Sequence, residues 1–207
     1  MAAIDLKKTY RSDYTAKRTP LVVDVPTRPF LMIDGYGDPN TSREYKEAVE
    51  GLFPIAYGFR AAIKAATGDA YTVMPLEGLW WVPNMADFDP ADKSNWSWTA
   101  MICLPDAATD AMMADVIPAV TDKKNLAAGP NVRVERFTEG VSAQILHIGP
   151  YADEAPTINT LHEFIDSNGY TRRAKHHEIY LSNPSRADPV KMRTIIRQPI
   201  APKHQTR

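Results

Sequence analysis

Two segments roughly a hundred residues apart carry one pattern, and that echo constrains the fold more than any single motif. Tyr71-Thr72-Val73-Met74-Pro75-Leu76-Glu77-Gly78-Leu79-Trp80-Trp81-Val82-Pro83 reads as a strand with a carboxylate and two adjacent indoles. Lys175-His176-His177-Glu178-Ile179-Tyr180-Leu181-Ser182-Asn183-Pro184 repeats it: in both, a Glu is followed six positions on by a Pro, with a large aromatic between. The surroundings repeat too. Each half is two strands, a glycine-marked turn, a helix and two more strands. Gly35 corresponds to Gly149, Glu77 to Glu178, Asp89-Pro90 to Asp188-Pro189, and Pro105 to Pro199. The drift between the halves is a loop-length difference within a duplicated plan, not an array of short repeats. Two related half-domains, each offering an acid and aromatic surface, suggest a shared cleft for a flat organic molecule.

The elements follow from local pattern. Leu21–Val25 and Phe30–Gly35 are strand candidates, closed by Pro26 and by Asp38-Pro39. Thr41-Ser42-Arg43-Glu44 fits a capping box with Thr41 at the cap. Apolar residues from Val49 to Ile63 then recur at helical spacing up to Gly68, with Pro54 predicting a kink or two abutting helices. Strands are expected over Tyr71–Pro83 and Trp96–Leu104, and a helix over Thr109–Val120 kinked or ended by Pro118. Val132–Phe137 and Val141–Ile148 read as a hairpin turning at Glu139-Gly140. A helix over Ala155–Ser167 stops at Asn168-Gly169, and strands His176–Asn183 and Met192–Gln198 finish the pattern. The domain plan is an N-terminal arm over 1–20, one domain over 21–200, and a frayed tail over 201–207. Within the domain the first half is about 21–105, the connecting helix about 109–120, and the second half about 132–200.

Bulk properties exclude several classes. A formal net charge of −1 gives no general attraction to nucleic acid or anionic membrane, and Lys7, Lys8, Arg11, Lys17 and Arg18 read as a solvated arm. Cys103, the one cysteine, lies in an apolar run and reads as a buried structural thiol. One cysteine allows no internal disulfide, which fits a reducing compartment. No signal core and no stretch of transmembrane length is present, so a cytoplasmic location is expected.

The chemistry is carried by carboxylates and aromatics. His176 and His177 are adjacent on a strand, face opposite ways and cannot share one metal ion, and His147 reads as a hydrogen-bonded structural histidine. There is no phosphate loop, nucleophile elbow or Cys/His pair. No cofactor is expected. Glu178 and Tyr180 are two apart and share a strand face. A Glu among aromatics either works as general acid or base or, ionised, attracts a cation. Glu77 reads as its symmetry mate, with Leu79 and Trp81 on its side and Trp80 opposite. A bulge would exchange the indoles, so both are candidates.

Tyr-Thr-Val-Met-Pro-Leu-Glu-Gly-Leu-Trp at 71–80, Leu52-Phe53-Pro54-Ile55-Ala56-Tyr57, and His-Glu-Ile-Tyr-Leu-Ser-Asn-Pro at 177–184 resemble the GyrI-like small-molecule-binding family over roughly residues 20–200. The resemblance implies an α+β fold of two β-α-β-β repeats related by a pseudo-twofold axis, with a central ligand cleft. Relatives include effector-binding domains that meet cationic aromatic drugs, gyrase-inhibitory proteins, and stand-alone hydrolases that open the cyclopropane of DNA-alkylating natural products of the yatakemycin and duocarmycin type. The Pro-Leu-Glu-Gly-Leu-Trp string points to the stand-alone branch, and no helix-turn-helix precedes residue 20. On that resemblance Glu178 is the acid/base or water-positioning residue. Tyr180, Tyr57, Trp80, Trp81 and Tyr151 form the aromatic cage, and Glu77 joins the binding surface. The alternatives are a non-catalytic binder of aromatic or cationic molecules, and an inhibitor with a protein partner such as gyrase.

Overall fold

The computed structural model describes residues 3–89 and 92–203. Pro90 of the expected Asp89-Pro90 repeat, and the end of the expected tail, lie outside the described residues. The element order is α1 (Leu6–Thr9), β1 (Leu21–Val25), β2 (Arg28–Tyr36), α2 (Arg43–Thr67), β3 (Leu76–Trp81), β4 (Ser97–Cys103), α3 (Asp110–Lys124), β5 (Arg133–Phe137), β6 (Gly140–Ile148), α4 (Ala155–Ser167), β7 (Tyr170–Arg172), β8 (His176–Tyr180) and β9 (Arg193–Pro202).

One antiparallel sheet runs in the order β1-β6-β9-β8-β3-β4-β2-β5, with β7 paired to β9. Its centre is the β3–β8 pair. On one side lie β4 and β2, on the other β9 and β6, which is the arrangement a pseudo-twofold axis between β3 and β8 produces. The first strand of each half crosses to the other half: β1 pairs with β6, and β5 pairs with β2. The expected hairpin of 132–137 with 141–148 therefore does not form. The Glu139 side chain turns inward to His177 and Arg197, at 2.9 and 2.8 Å, and Gly140 takes φ +71°. Anchored at that link, the two strands continue to different edges instead of folding back on each other.

Helix α2 is continuous for 25 residues and runs through Pro54. Its cap is Ser42, one residue later than the capping-box reading, accepting from the Tyr45 amide at 3.2 Å. Gly68 closes it in the left-handed conformation. Thr109 caps α3, which continues past Pro118 to Lys124. Strand β3 begins at Leu76 rather than Tyr71, because Pro75 has no N–H to give a ladder. Cys103 is buried, and burial pushes its thiol pKa up.

Alternation assigns the sheet's faces. Cross-strand partners share a face. Glu178, Ile196 and Ile145 are in register, and Ile196 and Ile145 pack with Ile158, Leu161 and Ile165 of α4. Trp80, Trp98 and Gly35 are in register, and Tyr45 of α2 packs on both indoles. Helices α2 and α4 thus cover the face that carries Glu178. The opposite face is covered by residues 4–17: the five basic side chains of the arm are exposed, as a solvated arm predicts, but the arm itself is docked. Leu6, Tyr10 and Tyr14 recur at helical spacing and are buried. Asp13 pairs with Arg28 at 3.0 Å, and the Arg28 guanidinium lies 3.6 Å over the Tyr10 ring. No helix among the described residues is long and apolar enough to cross a membrane.

Candidate active site

The register at the sheet's centre decides which side chains meet. Glu77 lies opposite Ile179, and Glu178 lies opposite Gly78. Glu178 therefore shares its face with Gly78 and Trp80, while Glu77 shares the other face with Leu79, Trp81 and His177. The two glutamates that match in sequence point in opposite directions.

On the Glu178 face a cavity of about 590 Å³ opens between the halves. Its lining includes Tyr45, Val49 and Phe53 from α2, Trp80 from β3, Trp96, Lys93 and Tyr151 from connecting segments, and Glu178 and Tyr180 from β8. Trp80 is only 2% exposed and is tilted against Tyr45 at 5.6 Å and Trp96 at 5.4 Å. Gly78 makes room for it: a Cβ there would meet the indole at 2.8 Å. Tyr151 meets Tyr180 edge to face at 5.3 Å. Rings of this size and packing form a slot for a flat apolar body.

Glu178 is the polar floor of that slot. It is 7% exposed, accepts from the Tyr180 hydroxyl at 2.7 Å, and accepts from His176 Nε2 at 3.2 Å. Burial pushes its pKa up, but the His176 and Tyr180 hydrogen bonds outweigh burial and hold it below the ordinary carboxylate value. Glu154, next to α4, shows the reverse. Burial and the nearby Glu178 charge raise its pKa to about 9. The surroundings thus favour the charge on Glu178 and the proton on Glu154. Burial, then the Glu154 and Glu178 charges, raise the Tyr151 hydroxyl to about 12.

The predicted residues divide. Trp80, Tyr151, Glu178 and Tyr180 line one cavity. Trp81 follows strict alternation onto the far face, where Lys175 Nζ lies 3.4 Å over its ring. Tyr57 is 58% exposed and does not line the cavity. It is the next step of the 45-49-53 row, but with 3.6 residues per turn an i+4 row drifts by about 40° per step, and by Tyr57 it has turned out to solvent. Glu77 is 1% exposed and belongs to a buried network on the far face. It accepts from Tyr14 Oη at 2.6 Å and pairs with His177 Nε2 at 3.1 Å, while His177 Nδ1 meets Glu139 at 2.9 Å and Arg197 Nη1 meets Glu139 at 2.8 Å. Burial opposes charge on His177, but the two carboxylates outweigh it and raise its pKa to about 9. Arg197 also binds the arm through the Asp13 carbonyl. Glu77 thus clamps the arm to the sheet. His147 is held by Thr157 and the Pro150 carbonyl, as a structural histidine would be.

Sequence reasoning missed Tyr45, Phe53, Trp96, Lys93 and Glu154. The i, i+4, i+8 spacing of Tyr45, Val49 and Phe53 was a readable signal for the first two. Glu154 resembled an ordinary acid before a helix, and nothing local marks Lys93. Among the described residues no group of three or more His, Cys, Asp or Glu side chains is placed to hold a metal ion.

A duplicated β-α-β-β sheet with its cleft on the seam is the frame seen in known proteins. Residues 19–199 match the GyrI-like small molecule binding domain. The chain belongs to the GyrI-like family. Among solved structures, an uncharacterized conserved protein from Listeria innocua is 37% identical, with a TM-score of 0.88 over 96% of this chain and 100% of that one. A Listeria innocua protein described as a hydrolase is 35% identical, with a TM-score of 0.85 over 97% of this chain and 100% of that one. The C-terminal domain of EcmrR, at 12% identity and a TM-score of 0.55 over 89% and 98% of the two chains, shares the fold. No curated protein matches the sequence.

Proposed function

We propose that this GyrI-like protein is a hydrolase that opens the cyclopropane ring of flat, DNA-alkylating cyclopropanoids and so protects the cell that makes it. The observation that carries the proposal is a buried carboxylate, Glu178, held by the Tyr180 hydroxyl and His176 in the same cavity as Trp80, Trp96, Tyr45 and Tyr151. Kinship to Listeria proteins described as hydrolases supports it. The substrate lies as a planar body in the aromatic slot. Glu178 orients a water at the strained ring carbon. The water oxygen bonds to that carbon as the ring C–C bond breaks, and its electron pair moves into the conjugated dienone to give a phenolate. Glu178 takes the water's proton and releases it to solvent, and the phenolate oxygen takes one from solvent, so the enzyme is regenerated and the sum is addition of one water. With Glu154 keeping its own proton, Glu178 stays free to accept one. Positioning and charge stabilisation supply the acceleration, since the strained ring is already electrophilic.

A second reading, a non-catalytic binder of aromatic cations, draws on the lowered pKa of Glu178, which keeps a negative charge beside aromatic faces. Multiple-turnover kinetics with a cyclopropane-dienone alkylator separates the two. The hydrolase reading expects product beyond one equivalent, with Glu178→Gln reducing kcat by about 10²–10⁴-fold and changing substrate affinity far less. Tight binding without turnover, with affinity for cations lost in Glu178→Gln, would establish the binder.

A further inference from the structure

Two cations, Lys7 and Lys93, line this cleft with no role in the chemistry above, and of the two Lys93 is the one set over a lining ring. Lys93 lines the same cavity as Glu178, and its Nζ lies 5.1 Å from the centroid of the Trp96 ring. Trp96 stacks on Phe88 at 4.7 Å and tilts on Trp80 at 5.4 Å. Phe88 in turn meets His176 at 5.5 Å, and His176 holds Glu178. The ammonium and the carboxylate are therefore joined through one wall of rings. Lys93 forms no salt bridge among the described residues, and its charge acts on both Glu178 and Glu154, behind the larger effect of their burial.

Glu178 brings a carboxylate to the lining, and Lys93, with Lys7 from the exposed arm, brings ammonium groups. Glu178 already has two hydrogen-bond donors of its own. An aromatic cation entering this slot gains one partly satisfied carboxylate and meets an opposing ammonium. A neutral molecule with a carbonyl oxygen, or an anion with a phenolate oxygen, instead gains a charge-assisted hydrogen bond from Lys93 while its rings lie on the indoles. A flat ligand on Trp96 also displaces Lys93 from that ring, which frees the ammonium for the ligand's edge.

We propose that Lys93 sets the charge class of the ligand: the cleft takes flat neutral or anionic molecules that present a carbonyl or phenolate oxygen to the ammonium, and it rejects aromatic cations. The inference rests on the cleft being the ligand site, and on that part of the proposed function alone. In the ring-opening reaction Lys93 would face the oxygen on which negative charge grows, while Glu178 works at the ring carbon.

The test needs no turnover. Binding of 8-anilinonaphthalene-1-sulfonate and of ethidium, a planar anion and a planar cation, is measured by calorimetry for wild type, Lys93→Met and Lys93→Arg, with each probe checked for displacement of the other. The expected result is that wild type prefers the anion. Lys93→Met should lose about tenfold in anion affinity, the scale of one half-buried charge contact, and gain in cation affinity, whereas Lys93→Arg keeps the wild-type order. An unchanged anion-to-cation ratio in Lys93→Met, or an equal fall for both probes as damage to the slot would give, overturns the assignment. If neither probe binds wild type, the cleft itself is not the ligand site and the assignment falls with it. Turnover that fails while the charge preference holds removes the hydrolase reading and leaves this one.

Discussion

Gly78→Ala is a one-carbon change that tests how the slot is built. A Cβ at this position would sit 2.8 Å from Cε2, Cζ2 and Nε1 of Trp80. Carbon atoms rest at about 3.5–4.0 Å, so the indole must move by about 1 Å. It has little room to do so, being wedged between Tyr45 and Trp96 and almost wholly buried. Overpacking of this kind costs about 1–3 kcal/mol. Removing a glycine from the unfolded chain returns about 0.4–1 kcal/mol. The larger number wins, and a net loss of about 1 kcal/mol is expected. Denaturant unfolding measures that loss, near-UV circular dichroism reports the indole, and titration with a flat ligand should show at least a severalfold loss of affinity. A variant at least as stable as wild type, with an unchanged near-UV spectrum and unchanged affinity, would show that Gly78 does not hold Trp80 in place.

Two further outcomes follow from the placement of side chains. The folded pKa of His177, about 9, lies above its unfolded value, so its contribution is complete below about pH 6.5 and is lost as pH rises through 9. Relative to His177→Gln, wild type should lose up to ~1.4 kcal/mol of stability per pH unit across that window; parallel urea-midpoint curves for the two proteins would refute the clamp. Tyr57→Ala should leave ligand affinity and stability within about 0.5 kcal/mol of wild type, as an exposed helix-surface change does; a tenfold affinity loss in titration would return Tyr57 to the site.

Much of the fold was legible because its signals are local. The β-branched runs, the helical stripe of α2 and the stop at Gly68 each act within a few residues, and the repeated order of elements joins them into a duplicated plan. Strand exchange was not legible. Nothing within 132–148 distinguishes a hairpin from two strands that leave for different edges. What distinguishes them is the distant pair His177 and Arg197, which draws Glu139 inward. The arm was misread for a related reason. Its five basic residues are conspicuous, whereas Leu6, Tyr10 and Tyr14 count as a buried stripe only once a sheet face is there to receive them.

The site was half legible, and the boundary is one residue wide. Similarity of motif placed Glu77 against Glu178. Pairing in the sheet places Gly78 against Glu178, and with a side-chain period of two that single step sends the matched acids to opposite faces. The step also divides the labour of the two repeats. On the cleft face, the position opposite Glu178 is a glycine, whose missing side chain admits Trp80 beside the one retained carboxylate. On the far face, Glu77 and His177 join Glu139 and Arg197 to fix the arm and lock the central strands together. A symmetric pair of acids in the cleft would have repelled each other or shared a proton between equals. One acid on β8, opposed by an indole from β3 and supplied with its proton-bearing partner by Glu154 beside α4, gives the cleft a direction. A ligand lying across the seam then meets the Glu178 carboxylate from one half and no matching acid from the other, so the asymmetry of the repeats becomes the orientation of the bound molecule.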